Sequence, residues 1–204
     1  MSLKTRGLSC IRGHRTLFEE LAFTLDSGQV LLVEGSNGSG KTTLLKMLTG
    51  LRPPDAGEIF WQDQNIDSLG AEYREQIAWL GHSNGIKEDL TAAENLRVSQ
   101  TLCPGNGRKI NEALERVNLR QYKNTLPRQF SAGMKRRLAL ARLLLVSSPL
   151  WILDEPQSAL DKTGIAMFET FLSEHLDNGG MAVMTSHHDV DLHENYIIRL
   201  RLSA

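Results

Sequence analysis

Residues 35–42 combine the residue types and the spacing that bind phosphate groups. They read Gly-Ser-Asn-Gly-Ser-Gly-Lys-Thr, which matches the phosphate-binding pattern GxxxxGK(S/T) in full. Glycines let successive backbone N–H groups turn toward phosphate oxygens, Lys41 can reach the β- and γ-phosphates, and the Thr42 hydroxyl can bind Mg²⁺. The alternative is a glycine-rich turn with a chance lysine, but a predicted strand precedes the segment and a predicted helix follows it. We predict a nucleotide site formed by Gly35, Ser36, Asn37, Gly38, Ser39, Gly40, Lys41, Thr42 and Thr43.

Two adjacent carboxylates, Asp154 and Glu155, follow the apolar run 150–153, which is a predicted buried strand. Ligands of α/β sheets bind at the carboxyl ends of the strands. Successive side chains of a strand point to opposite sides, so the two acids take different tasks. We predict that Asp154 holds Mg²⁺ through its water shell and that Glu155 polarises the attacking water as a catalytic residue. A solvated strand end is the plainer interpretation of the pair alone, and the phosphate-binding loop upstream favours the catalytic one.

Strands and helices that alternate along the chain must position these residues. The apolar patterns predict strands at 29–33, 57–61, 77–81, 150–153 and 181–185, and helices at 41–51, 92–101, 108–117, 132–146 and 165–176. Such alternation predicts an α/β fold with a mostly parallel sheet that is covered on both faces. The alternation of short apolar and polar stretches in residues 3–25 predicts two or three antiparallel strands. The polar, helical stretch at about 84–134 predicts an inserted helical subdomain within a single domain, 1–204.

Composition and charge argue against several classes of protein. The 204 residues include 23 Lys and Arg against 24 Asp and Glu, so the basic surface of a nucleic-acid-binding protein is absent and we expect no nucleic acid partner. Cys10 and Cys103 are too few for a disulfide framework, and with no secretory signal they predict reduced thiols in the cytoplasm. No apolar run approaches the roughly 18 uncharged residues of a membrane helix. A pore, if there is one, is expected in another chain.

Residues 129–137 read Gln-Phe-Ser-Ala-Gly-Met-Lys-Arg-Arg and resemble the signature of ABC-transporter nucleotide-binding domains, usually Leu-Ser-Gly-Gly-Gln. Ser131 is a good N-cap for the helix that follows, and Gly133 permits close backbone approach, so this helix N-terminus is a second candidate anion site. A plain capped helix is the alternative for the segment alone. Its position about twenty residues before Asp154 favours the family interpretation.

The resemblance to ABC nucleotide-binding domains covers nearly the whole chain. Residues 158–161 resemble the D-loop of the family, and His187 resembles its switch histidine. The resemblance implies a P-loop NTPase fold with an ABC-type ATPase core, catalytic roles for Glu155 and His187, and ATP and Mg²⁺ as cofactors. It also implies a homodimer of ATPase subunits, in which Ser131 and Gly133 of one copy approach the γ-phosphate of the ATP held by the other.

Two positions depart from the pattern of the family. Many ABC domains carry an aromatic residue that stacks on adenine, whereas this chain has Arg12 there, whose guanidinium plane can stack on a base. Counting back from residues 90–95, His82 occupies the place of a glutamine that senses γ-phosphate and Mg²⁺. A neutral imidazole can still bond a water or the metal shell. The predicted metal residues are therefore Thr42, Asp154 and His82.

The chain, including these departures, is similar to the ABC ATPases of cytochrome c biogenesis. The similarity lies in residues 12–18, 81–87 and 150–156. This closer resemblance implies a subunit that couples ATP hydrolysis to haem export or to release of a haem chaperone. It also implies integral membrane partners resembling CcmB and CcmC, and a peripheral position on the cytoplasmic face of a bacterial inner membrane.

Other functions stay open at the level of the sequence. An ABC exporter of another small hydrophobic cargo fits as well, because cargo specificity resides in the membrane subunits. A soluble ABC ATPase of DNA repair, chromosome organisation or translation is disfavoured, since those proteins commonly carry tandem domains, coiled-coil arms or basic surfaces. A nucleotide-gated module with little turnover would not need Glu155. Cys103 and Pro104 could contact haem directly, but we expect them to form an exposed turn.

Overall fold

The computed structural model describes residues 1–103, 105–186 and 190–202. In this part of the chain the strands are β1 (Ser2–Arg12), β2 (Arg15–Asp26), β3 (Val30–Glu34), β4 (Ala56–Trp61), β5 (Gln64–Asn65), β6 (Ile77–Leu80), β7 (Leu150–Leu153), β8 (Met181–Thr185) and β9 (Ile197–Arg201). The helices are α1 (Lys41–Leu48), α2 (Ile66–Leu69), α3 (Ala71–Glu75), α4 (Ala92–Leu102), α5 (Ile110–Arg116), α6 (Ala132–Leu143) and α7 (Lys162–Asp177). Short 3-10 helices lie at Arg120–Tyr122, Pro127–Gln129 and Glu194–Tyr196.

Five strands form a parallel sheet in the order β6-β7-β8-β3-β9. The strands are short and apolar because both faces of the sheet are covered, and every residue of β7 and β8 is buried. Successive side chains of a strand point to opposite faces of the sheet, so they pack in two separate hydrophobic cores. Ile152 packs with α1 and the antiparallel strands, whereas Trp151 and Leu153 pack on the side of helices α4 to α7. The predicted α/β class and its parallel sheet are confirmed.

The edge strand β9 was not predicted. Its sequence, Ile-Ile-Arg-Leu-Arg, mixes apolar residues with arginine. Among the described strands it pairs only with β3 and forms an edge of the sheet, so it lacks the continuous apolar run that identified the inner strands.

The antiparallel sheet has the order β2-β1-β4-β5. The expected antiparallel strands in residues 3–25 are β1 and β2. The strand expected at 57–61 is present as β4, but it pairs with β1, where Leu3 lies opposite Trp61, and is not part of the parallel sheet. The sequence pattern identifies a strand without naming its partner, because pairing is a tertiary contact.

Helices α4, α5 and α6 lie between β6 and β7 in the chain. At the start of α4, Thr91 Oγ1 accepts a hydrogen bond from the N–H of Glu94, and the Glu94 carboxylate accepts one from the N–H of Thr91. Buried Asn95 fixes the preceding loop, since its Oδ1 accepts from the N–H of Lys87 at 2.8 Å. Helix α1 ends at Leu48, before the predicted residue 51, because Gly50 has a φ of 69°. Helix α6 ends at Leu143, before the predicted residue 146, and Val146 forms an isolated bridge with Gly105. No helix within the described ranges is long and apolar enough to cross a membrane.

Candidate functional site

The loop of residues 35–40 connects the carboxyl end of β3 to the N-terminus of α1. Gly40 is the N-cap of α1 and has a φ of 101°, which favours glycine. A Cβ atom at Gly40 would lie 3.1 Å from Leu17 Cβ and 3.3 Å from the Phe18 ring. The loop is therefore held closely against β2, and its backbone N–H groups stand at the positive end of the α1 dipole.

Lys41 is the first residue of α1 and is 8% exposed. Its Nζ atom donates to the carbonyl oxygens of Gly35 at 2.8 Å and Ser36 at 3.1 Å. Both acceptors are neutral. The ammonium charge is thus held at the loop, where it can stabilise a bound anion.

Asp154 joins three elements at the carboxyl end of β7. Its side chain is almost fully buried. Its Oδ2 accepts from Thr42 Oγ1 at 2.9 Å, its Oδ1 accepts from Thr185 Oγ1 at 2.9 Å, and its N–H donates to Leu80 O at 2.7 Å. The structure thus brings together Thr42 and Asp154, two predicted metal residues that are 112 positions apart. The hydrogen bond of Thr185 with Asp154 was not predicted from the sequence.

Glu155 has a φ of 49°, in the left-handed region that non-glycine residues seldom adopt. Its N–H donates to Thr185 Oγ1 at 2.8 Å, so the hydroxyl that donates to Asp154 also fixes the backbone of Glu155. The Glu155 side chain is 30% exposed, and its Oε2 lies 3.9 Å from His82 Nδ1, which is longer than a hydrogen bond. The structure therefore places the exposed side chain of His82, a predicted metal residue, next to Glu155.

A cleft of about 510 Å³ opens beside these residues. Predicted nucleotide residues line it together with Glu155, and they are Asn37, Gly38, Gly40, Lys41, Thr42 and Thr43. The other predicted loop residues lie behind them: Gly35 and Ser36 hold Lys41 through their carbonyl groups, and Ser39 is buried. Arg12, Arg15 and Leu17 complete the lining. The described lining contains no aromatic ring.

Arg136 of α6 is a functional candidate that the sequence analysis missed. It is 1% exposed and donates to the carbonyl oxygens of Asp154 at 2.9 Å and Pro156 at 3.0 Å. Burial lowers the pKa of Arg136 to about 10, while the charges of Asp154 and Glu155 act in the opposite direction. The guanidinium is therefore charged at neutral pH. Its signal in the sequence was its helical spacing, which puts it on the same face as the buried Leu140.

Ser131 and Gly133 lie at the N-terminus of α6. Ser131 is exposed, and its Oγ accepts from the N–H of Met134 at 3.2 Å, as predicted for an N-cap. A Cβ atom at Gly133 would lie 2.9 Å from Ala159 O, so the start of α6 packs tightly against the loop that follows β7. Neither Ser131 nor Gly133 lines the cleft of its own chain.

The predicted switch histidine, His187, lies outside the described residues. Among the residues that are described, no three His, Cys, Asp or Glu side chains form a cluster that could hold a metal ion. Among the described residues, Thr42 and Asp154 offer a hydroxyl and a carboxylate oxygen that could contact a cation.

The family model described as ABC transporter matches residues 18–158. A cytochrome c biogenesis ATP-binding export protein CcmA of Methylococcus capsulatus is 50% identical over 195 residues, which cover 93% of each chain. The CcmA protein of Escherichia coli K12 is 42% identical over 98% of this chain and 96% of its own. A solved ATP-binding subunit of an ABC transporter superposes with a TM-score of 0.83 at 27% identity and covers 99% of this chain and 88% of that chain.

Proposed function

Since the chain belongs to the ABC transporter family and, within it, to the cytochrome c biogenesis ATP-binding export proteins, we propose that it drives haem export, or release of a haem chaperone, by hydrolysing ATP. As a member of this family it binds ATP and is an ABC-type ATPase. The observation that carries ATP hydrolysis is the contact of Thr42 with Asp154 at 2.9 Å beside Glu155 and Lys41, and the haem pathway rests on the similarity to the CcmA proteins. Triphosphate hydrolysis by P-loop enzymes uses a lysine on the phosphates, a hydroxyl and a carboxylate near Mg²⁺ and a group that positions water, and residues of these types converge here.

The donor set at this edge fits Mg²⁺. Thr42 and Asp154 offer a hydroxyl and a carboxylate oxygen, which are the hard ligands that Mg²⁺ prefers, and the open cleft leaves room for water and phosphate oxygens. Bound there, Mg²⁺ would neutralise charge on the β- and γ-phosphate oxygens. His82 would act from the side of Glu155, through a water or the metal shell.

In the proposed mechanism, the loop N–H groups, the α1 dipole and Lys41 bind the phosphates and stabilise the charge that develops on the γ-phosphoryl oxygens. Glu155 orients the attacking water and accepts its proton, because its carboxylate reaches the cleft while its backbone is fixed by Thr185. His187, by resemblance, contacts the γ-phosphate.

We propose that the active site is completed by a second copy of the chain. Ser131 is exposed at a helix N-terminus and does not line its own cleft. In a symmetric dimer, Ser131 and Gly133 of one copy would approach the γ-phosphate of the ATP bound to the other. Loss of the γ-phosphate would remove this contact, so the dimer would open after hydrolysis.

The membrane partners are proposed to be integral proteins resembling CcmB and CcmC, with the ATPase on the cytoplasmic face of a bacterial inner membrane. The helical region at about 84–134 is the proposed partner-facing subdomain. A groove of about 270 Å³ lies between β6 and helices α4 and α6, and Trp79, Leu102 and Cys103 are among its lining. Leu102 is 77% exposed, which suits an apolar segment of a partner.

Glu155→Gln tests the proposal. We expect kcat for ATP to fall by about 10²- to 10⁴-fold, because the amide cannot accept the proton of the attacking water, while nucleotide binding is retained. Glu115→Gln is the control, since Glu115 is an exposed carboxylate paired with Arg120. Steady-state ATPase assays and nucleotide titration give the two measurements.

The haem pathway is tested by purifying the tagged chain from detergent-solubilised bacterial membranes and identifying its partners by mass spectrometry. Recovery of CcmB-like and CcmC-like proteins supports the proposal. Recovery of a different permease would leave the ATPase in place and contradict the haem pathway.

A further inference from the structure

One guanidinium, that of Arg136, binds the backbone of the segment that carries the proposed catalytic carboxylate. Its Nε donates to Pro156 O at 3.0 Å, and its Nη2 donates to Asp154 O at 2.9 Å and also to Glu155 O. Three consecutive carbonyl groups therefore converge on one buried cation. Arginine suits this task because its donors form a rigid planar fork.

The backbone conformation of Glu155 explains why these carbonyl groups need a donor. A residue with a φ of 49° turns the chain sharply and directs neighbouring carbonyl groups into the interior, where they need donors. The side chain of Arg136 supplies those donors, and Thr185 fixes the N–H of the same residue. Arg136 and Thr185 therefore both hold the backbone from which the Glu155 side chain projects.

The same guanidinium also reaches the loop that carries His82. Its Nη1 donates to Gly81 O at 3.1 Å and to Asn84 Oδ1 at 3.0 Å. Arg136 belongs to α6, the helix that begins with Ser131. One side chain therefore joins α6, the loop 81–84 and the residues that follow β7.

We propose that Arg136 is a positioning residue for hydrolysis, which aims Glu155 and transmits movement of α6 or of the loop 81–84 to it. The inference rests on the proposed function, in which Glu155 activates water. Without this role, Arg136 would only satisfy buried carbonyl groups and stabilise the fold. The two roles differ in their effect on kcat, because a purely stabilising residue leaves the folded enzyme with normal turnover.

Arg136→Lys keeps the positive charge and removes the planar fork. We expect kcat to fall by about 10- to 100-fold, as for a catalytic group displaced by about 1 Å, while KM and the affinity for nucleotide stay within about threefold. The matched control is Arg142→Lys on the same helix. Arg142 is half-buried and donates to Gly85 O at 2.9 Å, and kcat of the Arg142→Lys protein is expected to stay at the wild-type value.

A double-mutant cycle shows whether the effect passes through Glu155. In single-turnover assays, Arg136→Lys added to Glu155→Gln should cause no further loss, because the group that it positions has been removed. A further loss of the same factor, or a wild-type kcat in the folded Arg136→Lys protein, would overturn the inference. If Glu155→Gln alone keeps wild-type turnover, the proposed function itself fails.

Asn84→Ala tests the contact between Arg136 and the loop 81–84 separately. It also provides a test of the inference if Arg136→Lys does not fold. It removes one acceptor of Arg136 and leaves the bonds to residues 154–156 in place. We expect a reduction of kcat by about three- to tenfold in a protein that stays folded at the assay temperature, with some loss of thermal stability because a hydrogen bond to a charged group is removed. An unchanged kcat would contradict the coupling of the loop to Glu155.

Discussion

Arg12 is the residue of the cleft that we expect to contact the nucleotide base. It lines the cleft with Arg15 and Leu17, and no aromatic ring is present in the described lining. A guanidinium plane can stack on a purine base, although such stacking at an exposed site contributes only about 0.5–1 kcal/mol. The phosphate contacts of the loop are then expected to supply most of the affinity for ATP.

Arg12→Ala is expected to raise KM for ATP by about two- to fivefold, because loss of about 0.5–1 kcal/mol of stacking free energy corresponds to that factor. We expect little change in kcat, because the base lies far from the reacting phosphate. Arg12→Tyr should return KM toward the wild-type value. Arg6→Ala is the control, since the Arg6 guanidinium lies 4.7 Å from the Phe60 ring centroid and does not line the cleft. Equal KM values for all of these proteins in steady-state assays would refute a contact between Arg12 and the base.

Among the elements, α7 is joined to the parallel sheet by a histidine. The His175 ring stacks on Trp151 of β7 with centroids 4.0 Å apart and planes 9° apart. Its Nε2 lies 3.1 Å from Met181 O at the start of β8. Burial lowers the pKa of His175 to about 4 from 6.5, and hydrogen bonds to Met181 and Pro149 oppose this shift in part. The neutral ring is therefore the form that fits between helix and sheet.

The lowered pKa predicts a pH-dependent stability. Between pH 6.5 and 4 the unfolded chain binds a proton at His175 that the folded chain does not bind, so the free energy of unfolding falls as the pH decreases through this window. The loss is on the order of 2–3 kcal/mol at pH 4. Urea denaturation at several pH values measures it. His175→Gln should lose less stability over this range, and an equal loss in both proteins would show that other groups cause it.

The whole molecule presents its two candidate anion sites in different places. The phosphate-binding loop lies in the cleft, whereas Ser131 lies outside the lining of that cleft. In the proposed dimer, each active site takes its phosphate-binding loop from one copy and its Ser131 from the other. A symmetric dimer would therefore contain two complete sites. A variant with a defective phosphate-binding loop should therefore regain activity when it is mixed with a variant that is defective at Ser131.

A mixing experiment tests this symmetry. Lys41→Ala and Ser131→Arg should each be inactive alone, and an equal mixture should recover about a quarter of wild-type activity, because half of the dimers are mixed and each contains one intact site. Lys41→Ala mixed with Asp154→Asn is the control, since both changes affect the same side of the site and no intact site can form. No recovery in the first mixture, together with a monomeric mass of Glu155→Gln in ATP, would contradict the dimer.

The sequence by itself determined the family and most of the elements. The phosphate-binding loop, the Asp154-Glu155 pair and the segment around Ser131 are short contiguous motifs, and the backbone between their residues fixes their geometry. Strand and helix positions followed from the sequence pattern, because burial of both faces of β7 and β8 leaves continuous apolar runs.

Only the tertiary structure decided how distant segments meet. The pairing of β4 with β1, the addition of β9 to the sheet, the contact of Thr185 with Asp154 and the five acceptors of Arg136 all join residues far apart in the chain. Hydrogen bonds between such residues depend on which strands become neighbours and on which side chains are buried between them. No local pattern contains that information, because it arises only when the whole chain packs.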